Sequence, residues 1–214
     1  MDVFNQPEIF ERYLLDHSSP EDTVLEELSR HTYLKEVHPR MLSGHILGRF
    51  LQMFSYLVSP NKILEIGTFT GYSAICLARG LKPGGQLTTI EINDQLRKTS
   101  LHFFKKAGVS RKVLLINGDA LKVIPTLSET FDLVFIDANK DDYIRYYDLV
   151  FDKVVPGGFI LVDNVLWSGK VLIDPPPDQT TDIIQQFNHK ISEDQRVENL
   201  LLPIRDGLML IKKV

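Results

Sequence analysis

From Lys62 onward the chain alternates short apolar runs with helical patterns, and this alternation limits the possible fold more than any other feature. Strands are predicted at Lys62–Ile66, Gln86–Glu91, Val113–Asn117, Asp132–Ile136 and Phe159–Val162. Helices are predicted over Tyr72–Arg79, Asp94–Ala107, Ala120–Leu127, Asp141–Val150 and Thr180–Ile191. Turn signals separate them at Lys82-Pro83-Gly84-Gly85, Ala107-Gly108 and Pro156-Gly157-Gly158. Strands that are apolar on both faces cannot leave either face to water, so helices must cover a parallel sheet on both sides. Near the end the alternation stops. Leu200–Ile204 and Leu208–Ile211 flank Arg205-Asp206-Gly207 and read as two strands joined tightly at Asp206-Gly207, a hairpin signal. The expected fold is α/β, a mostly parallel sheet closed by an antiparallel hairpin.

The first sixty residues read differently. Ile9, Tyr13 and Leu14, then Val24, Leu25 and Leu28, then Ile46, Leu47, Phe50, Leu51 and Phe54 recur at helical spacing. Ser19-Pro20-Glu21-Asp22 reads as a helix start, with Pro20 at the first helical position. The 214 residues form one domain, a helical region over 1–60 and an α/β core over 61–214. Asp174-Pro175-Pro176-Pro177-Asp178 is a stiff exposed loop.

Net charge of −4 and a sequence pI near 5.9 lack the basic footprint of a nucleic-acid binder. Asp2, Glu8, Glu11, Arg12 and Asp16 interrupt the start, which has no signal-peptide core, and no run is long enough for a membrane span. A soluble, cytoplasmic protein is expected. The single cysteine, Cys76, sits in a helical apolar pattern and is expected to be core rather than a reactive thiol.

Chemistry concentrates where the predicted strands end. Leu64-Glu65-Ile66-Gly67-Thr68-Phe69-Thr70-Gly71-Tyr72-Ser73 is a strand running through a glycine-bearing turn into a helix, which brings backbone N–H groups to a bound small molecule. Gly67 and Gly71 make G-x-x-x-G rather than G-x-G-x-x-G, and alone they are as well explained by a structural turn. Glu91 ends the second strand about 20 residues later, where an acid can accept from ribose hydroxyls. Asp119 can accept from an adenine amino group or cap the helix starting near Ala120, and the two roles are compatible.

Asp137 ends the fourth strand, and Asp163 with Asn164 ends the fifth. Charge in such apolar strands is tolerated only at the open carboxyl edge, where α/β sheets bind ligands. Two carboxylates and an amide oxygen suit a hard cation such as Mg²⁺, Mn²⁺ or Ca²⁺. No Cys/His set has zinc spacing. His31, His38 and His45 recur every seven residues, but Pro39 interrupts any continuous helix and they are read as non-ligands. Lys140, three residues after Asp137, is either a base beside the cation or a surface lysine.

These motifs in this order resemble the cation-dependent class I O-methyltransferases, the group of catechol O-methyltransferase and caffeoyl-coenzyme A O-methyltransferase. The resemblance starts near Met41-Leu42-Ser43-Gly44 and includes the glycine turn, Phe135-Ile136-Asp137-Ala138-Asn139-Lys140 and Asp163-Asn164-Val165-Leu166-Trp167-Ser168-Gly169. It ends at Leu202-Pro203-Ile204-Arg205-Asp206-Gly207-Leu208. It implies a Rossmann-like class I methyltransferase fold, a seven-stranded mostly parallel sheet with a C-terminal antiparallel hairpin and helices on both faces. It also implies S-adenosylmethionine as donor and S-adenosylhomocysteine as product.

By the same resemblance Glu65, Gly67, Tyr72 and Ser73 line the methionine end, Glu91 takes the ribose, Asp119 and Ala120 lie near adenine, and Met41 sits beside the sulfonium. Asp137, Asp163 and Asn164 match the metal ligands. Asp137 also lies against the methionine part, and Lys140 matches the base, making Lys140 and Asp137 the catalytic pair. Many relatives have an acid where this chain has Asn139, so Lys140 loses an acidic neighbour. The implied acceptor is a small aromatic diol and the implied assembly a homodimer.

Three other readings remain open in the sequence. A transfer-RNA hydroxyuridine O-methyltransferase shares the fold, and Lys35, His38, Arg40, His45 and Arg49 could give it a local basic face. The missing third glycine and the Asp163-Asn164 pair argue against a nicotinamide-dependent oxidoreductase. Retention of every matched metal position argues against a non-catalytic S-adenosylmethionine sensor.

Overall fold

The computed structural model describes residues 7–214. The part of the predicted helical region before Pro7, including Asp2, lies outside the described residues. Three helices precede the sheet: α1 (Pro7–Asp16), α2 (Thr23–Lys35) and α3 (Gly44–Val58). The start of α2 differs from the sequence expectation. Asp22, not Ser19, is the cap: its carboxylate accepts from the N–H groups of Val24 and Leu25 at 3.0 and 3.1 Å. Pro20 therefore lies outside the helix. A carboxylate meets the first orphan amides and the positive end of the helix dipole better than a hydroxyl does.

The core has seven strands: β1 (Lys62–Ile66), β2 (Gln86–Glu91), β3 (Val113–Asn117), β4 (Phe131–Ile136), β5 (Val154–Asp163), β6 (Val197–Leu202) and β7 (Leu208–Lys213). Between them lie α4 (Tyr72–Arg79), α5 (Arg97–Lys106), α6 (Ala120–Val123), α7 (Tyr143–Phe151) and α8 (Gln179–Glu193). The order across the sheet is β3-β2-β1-β4-β5-β7-β6, parallel except that β7 runs against both β5 and β6.

Successive strand residues point to opposite faces. Ile63, Leu133, Phe135 and Leu161 pack with Leu47 and Leu51 of α3 and Ile75 and Leu77 of α4. Leu64, Ile66, Val134, Ile136 and Val162 pack on the other side with Tyr143, Tyr147 and Val150 of α7 and Phe187 and Ile191 of α8. Cys76 is part of the first layer, and burial pushes its thiol up to about 12, so it is inert core as expected.

Several boundaries differ from expectation: the strand expected over 200–204 is β6, Val197–Leu202, and three further differences stand out. Strand β5 begins at Val154 and runs through Pro156-Gly157-Gly158, read beforehand as a separator; the pairing with β4 shifts between Phe131 and Leu133 to absorb those residues. The predicted helices 94–107, 120–127 and 141–150 each contain a tight 3₁₀ turn, at Asp94–Leu96, Ile124–Thr126 and Lys140–Asp142. The hairpin between β6 and β7 is joined by the five residues 203–207 rather than by a two-residue Asp-Gly turn, with Arg205 at φ 50° and Gly207 at φ 90°.

The order of strands reverses between β1 and β4, and their carboxyl ends leave a crevice at that point. Register levels the edge: Ile66 pairs with both Ile90 and Ile136, Glu91 with Asn117, and Ile136 with Val162. The acids that follow these residues therefore reach one rim.

Candidate active site

A cavity of about 1100 Å³ opens over that rim. Its lining includes Met41, Gly67, Tyr72, Ser73, Glu91, Asp119, Ala120, Asp137, Lys140, Asp163 and Asn164. Of the donor, metal and catalytic residues implied by the resemblance, only Glu65 is not in the lining.

Glu65 lies wholly buried beneath the floor. Its Oε2 accepts from the Thr89 hydroxyl at 2.5 Å, and that hydroxyl also meets the Thr68 hydroxyl. Its Oε1 has no partner among the described residues. Burial pushes this carboxyl up to about 8, against hydrogen bonds from Ser73 and Thr89 that lower it, while the charges of Asp137 and Glu91 raise it further. Glu65 thus braces the turn from below instead of forming its wall.

The glycine turn is shaped by close approach. Gly67 has φ 98°, and a Cβ there would overlap the Asp137 carbonyl. The Gly67 N–H donates to Ile90 O at 3.0 Å, and the Asp137 N–H to Ile66 O at 2.9 Å. Only glycine lets β4 end this close to the turn after β1. Gly71, at φ 97°, sits against the Phe104 ring. Tyr72 forms part of the wall, but its hydroxyl donates away from the cavity to Glu21.

Glu91 is no solvated strand end. Its carboxylate accepts from the N–H groups of Phe69 at 2.7 Å and Asn93 at 2.9 Å. It clasps the glycine turn and retains lone pairs for a ligand's hydroxyls. Asp119 does cap α6, accepting from the Leu121 N–H at 3.0 Å, and it also lines the cavity. The exposed Ile92 stands beside it; an apolar residue directly after a strand-ending acid was the available signal, and sequence reasoning passed it over.

The acidic corner lies opposite. Lys140 Nζ donates to Asp137 Oδ1 at 2.9 Å and stands 5.5 Å from the centre of the Tyr143 ring. The Tyr143 hydroxyl donates to the backbone oxygen of Asp163 at 2.7 Å and so fixes the end of β5. Asp163 is 2% exposed, and its Oδ1 has no partner among the described residues. Burial, then the neighbouring charge of Asp137, pushes the Asp163 carboxyl up to about 7. Asn164 is held at φ 62°, an uncommon conformation that asparagine tolerates better than most residues. Asn139 donates to Asp142 at 2.9 Å, so its side chain is turned to the start of α7 rather than to Lys140.

These donors fit a divalent cation: all oxygen, two of them carboxylates, with one buried carboxylate oxygen unsatisfied in the protein itself. The histidines do not. His31 packs edge-on against Phe103, His45 Nε2 donates to Ser19 O at 2.8 Å, and His38 lines the cavity. His45 and Arg49 are both committed to the carbonyls of Ser19 and Pro20. The basic face imagined from sequence shrinks to Lys35, His38 and Arg40.

Trp167 opens the loop that sequence reasoning expects to shape the acceptor pocket, and it lines the cavity; sequence reasoning missed Arg205 and Asp206 beside it. Nothing in their spacing places residues 205 and 206 beside Met41 and Trp167; the antiparallel return of β7 does. No described helix is long and apolar enough to cross a membrane.

A family model for O-methyltransferases matches residues 15–214. Caffeoyl-CoA O-methyltransferase 5 of Nicotiana tabacum is 34% identical over 181 residues, covering 78% of this chain and 75% of that protein. Caffeoyl-CoA O-methyltransferase of Petroselinum crispum is 35% identical over 179 residues, covering 78% and 74%. The fold is that of the O-methyltransferase TomG from Streptomyces achromogenes in complex with S-adenosylmethionine, with a TM-score of 0.90, 29% identity and coverage of 100% and 99%. An O-methyltransferase from Bacillus cereus in complex with S-adenosylhomocysteine matches at 0.89 and 28%, covering 96% and 97%. A reversed strand order, a glycine turn at its switch point and these relatives agree: the chain belongs to the S-adenosylmethionine-dependent O-methyltransferase family.

Proposed function

We propose that this enzyme methylates one hydroxyl of a small aromatic bearing two adjacent hydroxyls, a catechol-like or caffeoyl-like acceptor, with the help of a divalent cation. The observation that carries this reading is the unpartnered Oδ1 of buried Asp163, in the same cavity as the Asp137–Lys140 pair and the glycine turn. Asp137, Asp163 and Asn164 would hold the cation, Mg²⁺ first among Mg²⁺, Mn²⁺ and Ca²⁺. When bound, it supplies positive charge that favours the ionised hydroxyl.

The protein's own residues supply the rest. The N–H-bearing turn at Gly67–Gly71 and the carboxylate of Glu91 hold the donor by its methionine and ribose parts, with Asp119, Ala120 and Ile92 around the base. Met41 stands over the methyl. Lys140 takes the acceptor's proton on Nζ as the neutral amine; to do so it must first leave Asp137 Oδ1, which it holds in the absence of acceptor, and release one proton to solvent. The oxygen then attacks the methyl carbon as the C–S bond breaks, and positioning supplies most of the acceleration.

The test is transfer of a labelled methyl group to 3,4-dihydroxy-aromatic acceptors with Mg²⁺ and, in parallel, with a chelator. Label transfer that the chelator abolishes supports donor, ion and acceptor class together. Transfer that survives the chelator removes the cation from the reading. Transfer only to transfer RNA, sensitive to salt, would move the acceptor to modified uridine.

A homodimer fits the apolar outer faces of the N-terminal helices, where Tyr33, Leu34, Met53 and Leu57 are exposed. Sedimentation that gives a monomer at micromolar concentration would exclude it.

A further inference from the structure

The turn between β6 and β7 reaches both walls of the cavity at once. On one side Arg205 Nη1 donates to Leu42 O at 2.9 Å and to Ser43 O, the two carbonyls directly after Met41. A Cβ at Gly44 would stand 3.8 Å from the same Nη1. On the other side Asp206 Oδ1 accepts from the Ser168 N–H. The Asp206 backbone oxygen accepts from the Leu166 N–H at 2.8 Å, and that of Gly207 from the Val165 N–H at 3.1 Å. The far wall held this way is the segment that follows Asp163-Asn164 and carries Trp167.

Neither wall is anchored by regular structure at this point. Met41 ends a three-residue 3₁₀ turn, and Trp167 and Ser168 are held at φ 47° and 54°. Arg205 itself is at φ 50°. Residues held in this sparsely populated region need surrounding contacts to keep them there. Residues 205–207 supply such contacts to both walls; on the far wall Asn188 of α8 adds a bond to Val165 O at 2.8 Å, and Gln185 holds Val171 O and Ile173 O further along. A guanidinium is suited to this, because the two N–H donors on its Nη1 are fixed in the guanidinium plane, where an ammonium presents a point charge.

We propose that Arg205 and Asp206 are positioning residues that set the gap between the Met41 wall and the Trp167 wall, and so decide which of two adjacent acceptor hydroxyls faces the methyl group. This rests on the acceptor reading above only for its kinetic consequence; the mechanical coupling stands on the hydrogen bonds alone. Opening the gap lets a flat dihydroxy-aromatic bind in either of two orientations related by a flip, whereas the donor's ribose and adenine contacts lie at the other end of the cavity and stay as they are.

The experiment uses two readouts on the full-length protein. Trp167 is the only tryptophan of the chain, so its emission reports the far wall directly. Arg205→Ala, which removes bonds to the opposite wall, is expected to raise collisional quenching of Trp167 by acrylamide about two-fold, a loosening in line with losing a charged hydrogen-bond donor. Arg205→Lys should restore part of the protection. In the kinetic arm, with 3,4-dihydroxybenzoate, Arg205→Ala and Asp206→Ala should raise acceptor KM roughly ten-fold, shift the ratio of 3- to 4-methylated product toward one, and leave donor Kd within about two-fold.

Unchanged Trp167 quenching in folded Arg205→Ala protein would overturn the coupling. Changed quenching with an unmoved product ratio would overturn the role in acceptor orientation. An inactive wild-type enzyme would count against the acceptor reading, while the fluorescence arm would still decide the coupling. Should Arg205→Ala fail to fold, Asp206→Ala and Arg205→Lys carry the same comparison.

Discussion

Lys140 Nζ lies 2.9 Å from Asp137 Oδ1, and both side chains are 16% exposed. A proton acceptor and a candidate cation ligand therefore start as each other's partner. Lys140→Ala removes the amine that would accept the proton. Turnover should fall at least about 10²-fold, with donor affinity within about two-fold of wild type. Steady-state kinetics alongside calorimetric donor titration make the comparison. Lys140→Arg should not rescue, because a guanidinium stays protonated. A variant that loses donor affinity but keeps turnover would make Lys140 a binding residue.

Asp163→Ala separates the site from the fold. The buried Oδ1 has no partner, so its loss takes no hydrogen bond from the protein. Thermal stability without added metal should hold or rise, while the stabilisation given by millimolar Mg²⁺ should vanish. Methyl transfer should drop below detection. Full activity in the presence of chelator would show that Asp163 has no part in cation binding.

Gly67→Ala tests the close approach of β4 to the turn. The positive φ and the Asp137 carbonyl each oppose a Cβ. The variant should lose roughly 2 kcal/mol or more of stability and most of its donor affinity together. Denaturant titration and donor calorimetry would measure both. Unimpaired binding would mean the turn can relax without consequence.

Glu65 predicts a pH dependence. Its folded carboxyl is raised from 4.5 to about 8, chiefly by burial, so between those values the folded state holds a proton that the unfolded chain has released. Stability from this group is therefore complete below about pH 4.5 and is lost as pH rises toward 8. The slope approaches about 1.4 kcal/mol per pH unit within the window. Glu65→Gln keeps an acceptor for Thr89 but cannot ionise. Relative to wild type it should be more stable at pH 8 than at pH 5, measured by urea denaturation of donor-free protein. An equal difference at both values would show that Glu65 does not titrate in that range.

Strands β1 to β3 were legible in the sequence to the residue, because an apolar run bounded by glycine, proline or acid has one economical use in an α/β chain. The positions of Glu91, Asp119, Asp137 and Asp163 were legible for a related reason: charge survives beside such strands only at their ends. Less legible were the boundaries where two local signals compete. Pro156-Gly157-Gly158 looks like a turn in isolation and is carried within β5 because the pairing with β4 shifts by three residues there. Ser19-Pro20 looks like a helix start, but Asp22 caps better.

The chain's own letters thus determined the alternation of strands and helices, the glycine turn and the row of acids, since each follows from backbone geometry and the cost of burying charge. Tertiary structure decided what those letters face. It placed Glu65 below the cavity and not in its wall. It turned the Tyr72 hydroxyl to Glu21 and took His45 and Arg49 for the carbonyls of Ser19 and Pro20. It also brought Arg205 to Leu42, 163 residues away in sequence. Such contacts depend on strand order and on the direction of β7, which no local pattern encodes.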